Sequence, residues 1–96
     1  MALHYGRDRA AAEETRALIG EQASGLYGAD LEKRGAAQSL FESVDRDGPL
    51  HAVVNNAGVY LPLSWLDCTD SQFEANYAKT FAVNWDSPLR LCFTAS

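Results

Sequence analysis

The sequence predicts an α/β fold built on an open parallel sheet, and two observations lead there. Strand-like runs alternate with segments whose apolar residues recur at helical spacing, in the order strand, helix, strand, helix, strand, helix over 96 residues. That order calls for parallel pairing with right-handed crossovers. The run Leu50-His51-Ala52-Val53-Val54 also has the length and β-branched content of a buried strand, and Asn55-Asn56-Ala57-Gly58 stops it abruptly. Strands of open α/β sheets that end this way deliver backbone to a ligand.

Each element follows from its own residues. Ala2-Leu3-His4-Tyr5 is the first strand and Gly6-Arg7-Asp8 the turn behind it. Asp8 is placed to accept from the unpaired amides of the next helix. In that helix Ala11, Thr15, Leu18 and Ile19 share a face, Arg9, Glu13, Glu14 and Arg16 point elsewhere, and Gly20 ends it. Residues 23–29 form a second strand of mostly small residues, with Leu26 and Tyr27 as its bulk and Asp30-Leu31 at its carboxyl end. Ala37, Leu40, Phe41 and Val44 supply the stripe of the second helix, which Asp45-Arg46-Asp47-Gly48-Pro49 closes. After the 50–54 strand a loop over 59–69 holds Pro62 and Trp65, and a long helix begins near Asp70 or Ser71, either of which can cap it.

Along that last helix Phe73, Tyr77 and Phe81 repeat every four residues. Asn84 lies eleven past Phe73, and at roughly 100° per residue it returns to within about 20° of the same face. An amide thus shares a stripe with aromatics. Ser87-Pro88 removes a backbone donor just beyond and predicts a kink or restart after Asn84. Three features stand at the carboxyl ends of strands, where such sheets bind ligands: residues 5–8, Asp30-Leu31 and residues 55–58.

Bulk properties exclude several classes. The length fits a single domain with little margin for a large core. Eight basic and thirteen acidic residues give a formal charge of −5, with a pI near 4.8 and the bases scattered, which speaks against a nucleic-acid partner. No apolar run approaches the roughly 18 residues needed to cross a bilayer, and Met-Ala-Leu-His-Tyr-Gly-Arg is no signal peptide, so a cytoplasmic protein without a membrane partner is expected. Cys68 and Cys92 lack metal-type spacing and read as free thiols, partly or wholly buried, and no metal site is expected.

With Asn55-Asn56-Ala57-Gly58 after an apolar strand, Asp30-Leu31 after the strand before, and Phe81-Ala82-Val83-Asn84 on the following helix, the chain resembles the short-chain dehydrogenase/reductase family over essentially its whole length. The fold this implies is a single, incomplete NAD(P)-binding domain over residues 1–96. It is a partial Rossmann-like doubly wound parallel sheet that lacks the first strand and the C-terminal half. The resemblance implies that Asp30 accepts from the adenine amino group with the Leu31 backbone nearby; a solvated turn or a helix cap is the alternative for Asp30. Asn55, Ala57 and Gly58 would approach the cofactor's ribose, where small side chains allow close contact with backbone. Asn56 reads better as a structural amide serving the backbone of a neighbouring strand.

Asn84 matches the Asn of the family's catalytic set, whose implied task is to hold a water in a proton relay. Read without the family, it is an interior amide bonded to backbone. Cofactor choice rests on the end of the first strand, His4-Tyr5-Gly6-Arg7, which has no acid before Asp8. Arg7 would pair with a 2′-phosphate and favour NADP over NAD, unless it is merely a solvated turn residue, and Asp8 would oppose the phosphate unless occupied as a cap.

The family's Gly-rich pyrophosphate turn and its catalytic Ser, Tyr and Lys are not among these residues. In the family's strand order the absent first strand lies between the 2–5 and 50–54 strands. The sheet must then close by direct pairing, borrow a strand, or stay loosely ordered. Two functions are compatible with this. One is a fragment, inactive alone, of an oxidoreductase that moves hydride between the cofactor and an alcohol or carbonyl substrate, with a homo-oligomeric intact enzyme. The other is a non-catalytic binding or oligomerisation module whose long helix from Asp70 serves a partner.

Overall fold

In the computed structural model, which describes residues 1–96, two parallel strands form the only sheet. Strand β1 (Ala2–Tyr5) pairs with β2 (Gly25–Gly28) in the register Ala2 to Gly25 through Tyr5 to Gly28. Between them runs α1 (Arg9–Ile19), capped by Asp8, whose Oδ1 accepts from the Ala11 amide at 2.9 Å. Gly20, at a φ of 76°, ends this helix in a conformation that a Cβ would strain. The end of the sheet needs a second glycine for a different reason. The Tyr5 ring lies across Gly28, and a Cβ there would sit 2.8 Å from the ring. The His4 ring donates to the Ala29 carbonyl at 2.8 Å, fastening β1 to the chain beyond β2.

Helix α2 (Ala36–Asp47) packs on β2 and on α4 (Ser87–Ala95). Its stripe is the one the periodicity predicts: Ala37 and Leu40 are buried with Leu31 and Leu91, and Phe41 and Val44 lie against that cluster. Tyr27 joins β2 to the end of α2, its hydroxyl donating to Asp47 at 2.5 Å. That hydrogen bond first, then burial and the carboxylate's charge, holds the phenol above its ordinary pKa near 10. A proton held more tightly in the folded chain than in the unfolded one makes the bond's contribution complete below the ordinary value, and the contribution is lost as pH rises through the folded one.

The long C-terminal helix comprises α3 (Asp70–Phe81), a π-helical turn (Ala82–Asp86) and α4, without interruption. Its cap is Thr69, one residue earlier than expected, in a reciprocal capping box with Gln72. Pro88 lies just behind the π-helical turn, the kind of local rewinding that lets a helix run on past a residue without an amide.

Three expectations are corrected. Residues 50–54 form no strand: they are irregular, with a bend at His51, and Val54 is 86% exposed. A strand exists only through a neighbour, and neither β1 nor β2 lies beside this segment. The α1 face of Ala11, Thr15 and Leu18 is open, with Leu18 at 89% exposure, because the two-stranded sheet is too narrow to cover it. Cys92 is exposed and Cys68 half-buried, both as free thiols. The radius of gyration, 15.4 Å, exceeds the roughly 12–13 Å of a closed domain this long. The core is correspondingly small, six apolar residues and Ser87.

Replacing Leu91 by Ala removes a quarter of the buried cluster and is expected to cost about 2–4 kcal/mol, against less than about 0.5 kcal/mol for Leu18→Ala, both read from urea midpoints. Asp47→Ala is expected to move one tyrosine's phenolate absorbance rise to lower pH; an unchanged titration would exclude the Tyr27 bond in solution.

Candidate functional site

Two of the three groups singled out at strand ends, residues 5–8 and Asp30-Leu31, lie together at the carboxyl end of the sheet. Because β1 and β2 are parallel and Tyr5 pairs with Gly28, Gly6-Arg7 leaves the sheet beside Ala29-Asp30. The Tyr5 carbonyl accepting from the Ala29 amide at 3.1 Å extends that closeness past the strands. Arg7 is exposed in an open groove between β1 and α1 and makes no side-chain hydrogen bond or ion pair. Asp8, the nearest acid, is engaged as the α1 cap. The guanidinium therefore faces solvent with its closest anion already committed to backbone.

Asp30 is half-buried, and its Oδ1 accepts from the Glu32 amide at 3.1 Å. This short turn fixes the carboxylate and leaves its second oxygen without a protein partner. Leu31 is buried in the core, and its carbonyl accepts from Ser87 Oγ at 2.7 Å, a bond spanning 56 positions. Ser87 itself is only 3% exposed. Lys79 of α3 adds a 3.5 Å ion pair with Glu32, half-exposed and worth little by itself.

Three residues before Ser87, Asn84 holds the other loop. Its Oδ1 accepts from the Val59 amide and its Nδ2 donates to the Val59 carbonyl, both at 2.8 Å. The carboxamide thus pairs with one residue's backbone as a neighbouring strand would. Asn55 donates to Cys92 Sγ at 3.4 Å, and Asn76 to the Leu61 carbonyl at 2.7 Å, so the loop is pinned along the helix at several points. Ala57 and Gly58 stay exposed, with nothing but Asn84 Oδ1 near Gly58. Helix residues Asn84 and Ser87, within one turn of each other, therefore bring the 55–59 loop and the Asp30-Leu31 turn to one place.

Two details differ from the sequence reading. Asn84 faces the 55–59 loop, and the stacked series Phe73, Tyr77, Phe81 continues instead at Trp85 by the same four-residue step, with ring centroids 5.9–6.5 Å apart. Asn56 serves no neighbouring strand; it is exposed, and no strand lies beside it. Asn84 takes the backbone-pairing role expected of it. Ser87 and Val59 are the positions the sequence did not reveal. A Ser before Pro reads as a helix breaker, and Val59 acts through its backbone alone. Asn84 keeps one N–H and a lone pair for a further partner, so its side chain positions the loop first.

No protein-family model matches this chain, and no curated protein matches it.

Asn84→Ala is expected to accelerate amide hydrogen exchange at Val59 and to cost about 1 kcal/mol for each lost bond. Asn84→Asp retains the acceptor and should keep the Val59 amide protected; equal exchange in both variants would refute the clamp.

Proposed function

We propose that the chain is the nucleotide-holding part of an NAD(P)-dependent oxidoreductase of the short-chain dehydrogenase/reductase type, inactive on its own. In the intact enzyme the two-stranded sheet would belong to a doubly wound, Rossmann-like one, and hydride would pass between the nicotinamide and an alcohol or carbonyl carbon. The observation that carries the reading is that Arg7 and Asp30-Leu31 stand at the carboxyl ends of the parallel strands β1 and β2, with the 55–59 loop tied toward Leu31 through Asn84 and Ser87.

The chemistry of these groups suits a dinucleotide's adenosine side. A fixed carboxylate at Asp30 accepts from an adenine amino group. Exposed backbone at Ala57 and Gly58 admits a ribose, and Asn55 stands at its edge. Arg7, with Asp8 spent as a cap, favours a 2′-phosphate and hence NADP over NAD. Asn84 contributes by fixing the 55–59 loop. Acid–base catalysis needs a tyrosine and lysine pair that none of these 96 residues matches, so the chain's own part is to bind and orient.

A second reading, a non-catalytic interaction module, is favoured by one observation. Trp65, Phe73, Tyr77, Phe81 and Trp85 form a continuous ring-to-ring series on the exposed face of the long helix. Such a face is unusual on a free surface.

Titration of NADPH against the labelled chain is expected to shift amide resonances at residues 7, 30–31 and 55–58, saturating on the order of 1 mM, a weak affinity. Asp30→Ala should abolish the shifts and Arg7→Ala should erase the preference over NADH. Perturbations confined to the aromatic face would favour the module, and carbonyl-dependent NADPH oxidation by the chain alone would refute the division of labour.

A further inference from the structure

We draw no further inference here: the strongest candidate, the exposed aromatic face that Phe73, Tyr77, Phe81 and Trp85 form along the long helix, belongs to the interaction-module reading already described, and nothing in the structure shows what covers it.

Discussion

The hydrogen bond from Ser87 to the Leu31 carbonyl, with the leucines packed around it, joins the two halves of this molecule. The first half is the β1–α1–β2–α2 unit and the second is the long helix with the loop leading into it. The packing of α2 against α4 and the Glu32–Lys79 pair add to this join. A hydroxyl this deeply buried would be costly without its acceptor, and the carbonyl would be equally costly without its donor. The bond therefore selects one seating of the helix among those that Leu91, Ala37 and Leu40 alone would tolerate. Each buried leucine adds about 1.5–3 kcal/mol, so a cluster of four small and medium side chains leaves little surplus over chain entropy.

Positioning at the candidate site descends from that seating. With Ser87 fixed, Asn84 one turn earlier faces the 55–59 loop, and its carboxamide supplies the partner that an extended segment otherwise finds in a neighbouring strand. The Asp30 turn and the glycine-containing loop are thereby held at a common place although no sheet unites them. A side chain substitutes for a β-ladder at one residue, which is enough to place a loop and too little to make a strand of the five residues before it.

What could be read from the sequence was whatever is decided locally. Asp8 as a cap depends on residues three apart, and the α2 stripe on a single helix's periodicity, and both are as expected. The strand ends at Tyr5 and Gly28 follow from turn residues beside them, which is why Arg7 and Asp30 stand where they were anticipated. The failures are non-local. Residues 50–54 have every intrinsic property of a strand and no neighbour. Leu18 has the right phase and nothing to cover it. Helical phase places Asn84 near the aromatic face, but its partner is the backbone of Val59, 25 positions away. The role of Ser87 depends on a carbonyl 56 positions away, which no spacing rule reaches.

The π-helical turn between α3 and α4 marks the place where the long helix can lose length and keep its fit. Excising a single residue between Ala82 and Asp86 would take up the surplus and restore ordinary α-helical winding, so Ser87 and Leu91 would stay close to their present phase. The same excision within α3 would rotate everything downstream by roughly 100° and move it about 1.5 Å along the axis, swinging Leu91 out of its cluster and Ser87 away from its carbonyl.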